Sequence, residues 1–200
     1  MIELPTDLPA DLAPLSWLIG VWEGSGVIDY PVGEQRLQGE FAQRVSFSHD
    51  GGPFLNYSGT ATFTGEDQSL SVPLIAETGF WRLSRPAAAT DAGPALLPPQ
   101  SEAVLRTVDD VEELRGENGA FPIEVSLAHS DGILEFYLGE INGPRVDIAS
   151  DAIVRGAGTK DYAAASRMYG LVDGHLLWAW DIAALGTPLR AHASARLARV

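Results

Sequence analysis

The chain is a succession of short segments in which apolar and polar residues alternate, each followed by residues that favour turns. The run from Phe41 to Phe47 alternates in this way, as expected for a strand with one buried face. Similar runs follow at 54–63, 74–83, 123–129, 133–140, 146–150, 152–155, 163–171, 176–182 and 189–200. Short strands at regular spacing, joined by glycine-containing turns, predict an all-β sandwich or barrel.

The even spacing and the near absence of a helical period favour an up-and-down antiparallel β-barrel of about ten strands. Closure leaves no sheet edge exposed, and a barrel of about eight or more strands can enclose one small ligand. The segment from Leu12 to Ile19 precedes the first strand. We expect it to form a short helical turn that plugs one end of the barrel.

The length of 200 residues and the hydrophobic content of 46% suit one domain. We therefore assign residues 1–200 to a single barrel domain, in which the proline-containing, acidic segment 1–11 is a loosely held lead-in. A stretch rich in proline and alanine, at about 85–119, breaks the strand pattern and is predicted to be a loop insertion. We interpret it as a surface loop; the alternatives are a lid over a ligand site and, for 103–114, a further strand and turn.

Three glycines, Gly20, Gly24 and Gly26, fall within the first predicted strand, and Trp22 lies between the first two. Glycine inside a strand indicates a bulge, a sharp bend or a close approach of another backbone. We expect this strand to bend, with Trp22 filling the bottom of the closed sheet. A dinucleotide-binding loop is the rival interpretation, but it needs a helix after the glycines, and no helical period follows.

The composition limits the choice of partners. The net charge is −14, which disfavours nucleic acid and anionic membrane surfaces. There is no cysteine, so neither a disulfide framework nor a thiolate metal site is predicted. No apolar stretch is long enough to span a membrane, and the first ten residues lack the basic region of a signal peptide. We predict a cytoplasmic location.

His192 lies in the last predicted strand, where alternation places it on the same face as Arg190, Ser194 and Arg196. Ala191, Ala193 and Ala195 then form the opposite face. A polar strand face is usually the outer one, which makes His192 a surface residue. In a barrel, however, the polar face can line the interior, and the alanines would then lie under neighbouring side chains or against a second copy in a homodimer.

Several segments together resemble the nitrobindins, a family of β-barrels that hold haem b. The matching segments are Gly20-Val21-Trp22-Glu23-Gly24-Ser25-Gly26 with Tyr30-Pro31, Phe54-Leu55-Asn56-Tyr57, Glu77-Thr78-Gly79-Phe80-Trp81-Arg82, the hairpin from Arg167 to Gly174, and Pro188-Leu189 with His192. The resemblance covers about 12–84 and 121–200. It implies a barrel that carries one haem b per chain, with His192 as the axial ligand of the iron. In that family, ferric haem isomerises peroxynitrite to nitrate and binds nitric oxide reversibly.

The resemblance also points to two further positions. The family has a threonine over the open haem face where this chain has Val32, so a hydrogen bond to an iron-bound ligand would be lost. It has a lysine near the haem edge close to Lys160, the only lysine of the chain. A solvated turn lysine is the simpler interpretation, but in so acidic a chain Lys160 would also suit a haem propionate. Arg82, Arg155 and Arg167 are alternative propionate partners.

Two other functions remain open at this point. The barrel could carry a fatty acid or another small apolar ligand without haem, or its interior could be filled by side chains in an interaction domain. Trp178 and Trp180 are expected to pack in the core. The remaining histidines, His49, His129 and His175, are interpreted as surface residues, and their wide separation in sequence predicts no metal-ligand cluster.

Overall fold

Ten antiparallel strands close into a barrel in which every strand pairs with its neighbours in the chain and β1 pairs with β10. The computed structural model describes residues 8–64, 71–101 and 106–200. The strands are β1 (Gly20–Val32), β2 (Gln35–Ser48), β3 (Leu55–Thr64), β4 (Ser71–Leu83), β5 (Phe121–His129), β6 (Ile133–Asn142), β7 (Arg145–Arg155), β8 (Tyr162–Val172), β9 (His175–Ala184) and β10 (Thr187–Arg199). The predicted all-β, up-and-down barrel is confirmed.

One boundary between predicted strands is wrong. The runs at 146–150 and 152–155 form the single strand β7, whose pairing with β6 shifts between Phe136 and Tyr137. The shift leaves Asp151 between the paired residues, as in a β-bulge. An interruption of the alternation therefore marked a bulge and not a turn. The turn predicted at 65–67 lies outside the residues that the structure describes.

A 3₁₀ helix at Ala10–Leu18 plugs one end of the barrel, as the apolar residues before the first strand predicted. Leu12, Leu15 and Leu18 are completely buried. The Trp22 side chain lies beneath them and donates a hydrogen bond from Nε1 to the Leu18 carbonyl at 2.8 Å. From the other end of the chain, Arg199 donates to the carbonyls of residues 17 and 19 and lies 4.3 Å over the Trp22 ring. The 3₁₀ helix and the end of β10 thus close the same end of the barrel.

The connection between β4 and β5 also belongs to this closed end. It contains a short helix, α1 (Val108–Glu112), whose Thr107 and Asp110 form a reciprocal capping box. Val111 is buried where α1 meets the 3₁₀ helix. The expectation of a further strand over 103–114 is therefore wrong for its described part, which forms a helix because the cap satisfies the first backbone N–H groups. No helix in the described ranges is long and apolar enough to cross a membrane.

An ion pair fixes the connection to the plug. Asp11 is buried, with its Oδ1 3.9 Å from Arg85 Nε and 3.7 Å from Arg106 Nε. Because the strands alternate in direction, the β1–β2, β5–β6, β7–β8 and β9–β10 connections lie at the opposite end of the barrel, which we call the mouth. The described part of the β4–β5 connection packs at the closed end of the barrel. It therefore does not act as a lid over the mouth.

Gly24 and Gly26 of the first strand allow the backbone of β10 to approach β1 closely along the line where the two strands pair. A Cβ on Gly24 would lie 2.3 Å from the Arg196 carbonyl oxygen. A Cβ on Gly26 would lie 2.3 Å from Phe41 Cζ and 2.4 Å from the Ser194 carbonyl oxygen. The pairing of β1 with both neighbours runs without a register shift. Close backbone approach therefore explains why glycine stands at positions 24 and 26, and the paired residues of β1 show no bulge.

A methyl group at Gly24 should weaken this seam. In a Gly24→Ala variant the new Cβ meets backbone atoms of β10, which cannot turn aside, and we expect the free energy of unfolding to fall by about 1–3 kcal/mol. Chemical denaturation measures the change. The matched control is Gly170→Ala in β8, where the nearest atom would be 3.8 Å away; it should change stability by about 0.5 kcal/mol or less. Equal effects of the two substitutions would contradict the close-approach account.

Candidate functional site

A cavity of about 230 Å³ lies inside the barrel towards the mouth. Its walls are mainly apolar and come from β1 to β4 and β8 to β10, with Ile28, Phe41, Val45 and Ile75 among them. One residue of the cavity lining, Leu74, is 43% exposed, so the cavity is not sealed from solvent. A mainly apolar cavity that is open to solvent suits an apolar ligand of which one edge stays in water.

His192 enters this cavity because β10 is irregular at that point. The pairing of β10 with β9 shifts between Ala191 and Ala193. His192 and Ala193 both line the cavity although they are adjacent in the chain. A β-bulge inserts one residue and turns a side chain to the other face. The expected alternation, with His192 on the same face as Ser194 and Arg196, is therefore wrong, since those two residues are exposed.

The bulge also changes the role of the alanine face. Ala195 is buried in the core of its own barrel, and Ala193 faces the cavity. These two alanines are thus not available to a second copy of the chain. The prediction of a homodimer stays a prediction, without the support that the alanine face gave it.

The His192 ring is held between two aromatic side chains and remains neutral. Tyr30 and Trp180 each meet it edge to face, with ring centroids 5.4 Å away. The Nδ1 atom is buried and finds no hydrogen-bond partner among residues 8–64, 71–101 and 106–200. Burial, with a smaller contribution from the positive charge of Arg167, lowers the pKa of His192 to about 4. A neutral imidazole in an apolar cavity fits the requirement for an axial ligand to haem iron.

Two other predicted site residues, Lys160 and Val32, lie at the mouth end but outside the cavity wall. Lys160 is exposed in the β7–β8 connection, where its backbone carbonyl accepts a hydrogen bond from Arg155. Val32 is the half-buried last residue of β1. Neither residue is part of the cavity lining, whereas His192 is. Gly20, Trp22, Gly24 and Gly26 belong to the plug and the seam, so their part is structural.

The match to known proteins agrees with this geometry. A family model described as "THAP4-like, heme-binding beta-barrel domain" matches residues 11–199. The chain belongs to this family. The match includes the cavity, the bulge of β10 and the connection between β4 and β5.

Curated relatives carry one name. A protein of Leifsonia xyli subsp. xyli is 57% identical over 199 residues, covering 100% of this chain and 99% of its own length, and is named peroxynitrite isomerase. A protein of Clavibacter michiganensis subsp. michiganensis with the same name is 54% identical over 200 residues, covering 100% of both chains. The crystal structure of Rv2717c from M. tuberculosis superposes with a TM-score of 0.66 at 25% identity, covering 99% of each chain. The family description and the shared name of the two relatives support the haem hypothesis. Neither relative is named as a haem-free carrier.

A buried cluster of charged groups adjoins the cavity of this haem-binding barrel. Arg167 of β8 donates to Glu77 of β4 at 3.0 and 2.9 Å, and to Glu135 of β6 at 3.0 Å. His129 of β5 lies 2.8 Å from Glu135 and 3.5 Å from Glu77. The side chains of all four are at most 3% exposed. The prediction that His129 is a surface residue is wrong.

Tyrosines complete the hydrogen bonding of this cluster. Tyr57 donates to Glu77 at 2.5 Å, Tyr162 donates to Glu135, and Arg167 donates from Nε to Tyr137 at 3.0 Å. Burial alone would raise the pKa of the Glu135 carboxyl, but the charge of Arg167, together with His129 and Tyr162, lowers it to about 2. Burial raises the pKa of the Tyr137 and Tyr162 phenols well above the usual range. The cluster therefore holds an ionised Glu135 carboxylate and neutral phenols.

By residue type, Glu77, His129 and Glu135 could bind a metal ion, since their ligand atoms lie within 4.8 Å of one another. Arg167 Nη2, however, lies 2.9 Å from Glu77 and 3.0 Å from Glu135. A guanidinium thus already occupies the place of the cation. We interpret the group as a buried ion network.

Breaking this network from its cationic side should be costly. In an Arg167→Met variant, two buried carboxylates lose their counter-charge, and we expect the free energy of unfolding to fall by about 3–5 kcal/mol. The matched control is Arg82→Met, which breaks an outer pair with Glu124 in which Arg82 is 62% exposed. The control should cost about 1 kcal/mol or less. Thermal and denaturant unfolding would compare them, and similar losses would contradict the assignment.

The depressed pKa of His192 gives the haem-free protein a specific pH dependence. The folded state keeps His192 neutral down to about pH 4, whereas the unfolded chain takes up a proton below its ordinary value of 6.5. The unfolded state therefore binds more protons between these values, and stability falls as the pH falls through this window, by about 3 kcal/mol at most. A His192→Leu variant should lack this contribution. Denaturation curves measured from pH 7 to pH 4 would contradict the account if both proteins lost stability equally.

Proposed function

We propose that this chain binds one haem b with His192 as the axial ligand, and that its ferric haem isomerises peroxynitrite to nitrate. The observation that carries the proposal is the β10 bulge, which turns a neutral imidazole into the mouth cavity. Family membership supports the cofactor. Relatives named peroxynitrite isomerase, identical at 46–57% over at least 98% of this chain, support the reaction.

His192 would hold ferric haem in the cavity, and the haem would supply the Lewis-acid chemistry that converts peroxynitrite to nitrate. The chain provides the setting for this chemistry. His192 offers a nitrogen lone pair, because burial keeps its ring unprotonated at neutral pH. Phe41, Val45 and Ile28 exclude water from the cavity wall, which limits side reactions of a reactive substrate. The open side beside Leu74 admits small molecules.

Two further residues have proposed roles at the mouth. Lys160, exposed in the β7–β8 connection, would pair with a haem propionate and would supply a local positive charge in a chain of net charge −14. Val32 stands where the family has a hydroxyl, so a ligand on the iron receives no hydrogen bond from this position. Reversible binding of nitric oxide to the haem is a further part of the proposal. The cytoplasmic location stays a prediction.

The ligand assignment can be tested by titrating ferric haem into the purified protein. We expect the wild type to develop a Soret band with one haem per chain and to convert peroxynitrite to nitrate. His192→Ala should lose both properties, since the iron loses its protein ligand. The matched control is His175→Ala. His175 is the first residue of β9, at the end of that strand that lies away from the mouth, and this variant should behave as the wild type. Equal haem affinity in the wild type and His192→Ala would refute the assignment.

A further inference from the structure

The imidazole of His192 lacks the usual means of fixing the orientation of a metal-binding histidine. Such a histidine ordinarily donates its second ring N–H to a carboxylate or a carbonyl. Here Nδ1 is buried with no acceptor within the described residues. Some other contact must therefore set the plane of the ring.

The two strands that flank β10 provide that contact. Tyr30 comes from β1 and Trp180 from β9, so the His192 ring lies between one aromatic side chain on each side. Their interplanar angles to the His192 ring are 85° and 89°, which makes both contacts edge to face. Such pairs are favourable beyond their buried area and depend on orientation. Together they restrict the rotation of the imidazole.

Each of the two aromatic side chains is itself held in place. The Tyr30 hydroxyl reaches the backbone of Ala184, donating to its carbonyl at 3.1 Å and accepting from its N–H at 3.0 Å. Trp180 is opposite Arg167 in the β8–β9 pairing, and the guanidinium carbon lies 3.8 Å from the centre of its ring. Arg167 in turn is fixed by Glu77 and Glu135. A continuous set of contacts thus joins the buried ion network to the His192 ring.

We infer that Trp180 is a positioning residue for His192, and that the buried network around Arg167 holds it in that position. This inference rests on the proposed role of His192 as the haem ligand. Trp180 fixes the imidazole plane and so the direction from which the ring nitrogen approaches the iron. Arg167 has no free donor for a substrate anion, because it directs its five N–H groups to Glu77, Glu135, Tyr137 and Tyr169. Its contribution to the orientation of His192 is to hold Trp180 in place.

The test compares Trp180→Leu, which removes the aromatic wall, with Trp180→Phe, which keeps one. In haem-free protein, NMR signals of the His192 ring should lose their ring-current shifts and broaden in Trp180→Leu, and should stay close to wild type in Trp180→Phe. In haem-loaded ferrous protein, the iron–histidine stretching band in the resonance Raman spectrum should shift or broaden in Trp180→Leu alone. Haem should also dissociate on the order of ten times faster from this variant.

The matched control is Trp178→Leu, on the same strand and in the same cavity. Trp178 packs against Phe41 and donates to Gln43, and it makes no ring contact with His192. The Trp178→Leu substitution should therefore leave the iron–histidine band unchanged, whatever its effect on the stability of the protein. Where Trp180→Leu fails to fold, Trp180→Met replaces it, because the flexible methionine side chain adapts to an irregular space without providing a ring.

The outcomes separate this inference from the proposed function. If wild type shows an iron–histidine band that His192→Gly loses and added imidazole restores, the ligand assignment stands. With that result, a Trp180→Leu protein that has wild-type ring signals, an unchanged band and unchanged haem dissociation overturns the positioning role alone. If His192→Gly retains the wild-type band, the ligand assignment itself fails.

Discussion

The pairing of β1 with β10 is the constraint on which the rest of this structure depends. It closes the sheet into a barrel, and the close approach at Gly24 and Gly26 leaves no space for a side chain along that line. Closure places β10 between β1 and β9, so that a bulge in β10 turns His192 inward between two aromatic residues. Without the seam, the same histidine would lie on an open sheet edge.

Inside the closed barrel, charge and apolar surface have separate places. Glu77 and the ionised Glu135 carboxylate meet Arg167 in a network whose donors and acceptors are mutually satisfied. His192 lies nearer the open side and stays neutral because it is buried among rings. Trp180 joins the two regions. The arrangement lets a strongly acidic chain keep a neutral imidazole beside buried ions.

The sequence predicted the architecture well, because strand alternation and turn residues are local signals. The barrel, the plug and the packing of Trp22 are confirmed on that basis. The bulge at His192 was missed, since one inserted residue reverses a strict two-residue period. The ion network was missed because its members come from four strands and meet only on closure. One signal could have revealed part of it: Glu135 stands between Ile133 and Tyr137, on a face that is otherwise apolar.

The central claim is that the His192 imidazole, turned into the mouth cavity by the bulge, binds the haem iron. A crystal structure of the protein loaded with ferric haem tests this most directly. We expect the iron to be bonded to a ring nitrogen of His192, with Tyr30 and Trp180 still packed against the imidazole. An iron held by any other residue, or a His192 ring turned out into solvent, would contradict the account.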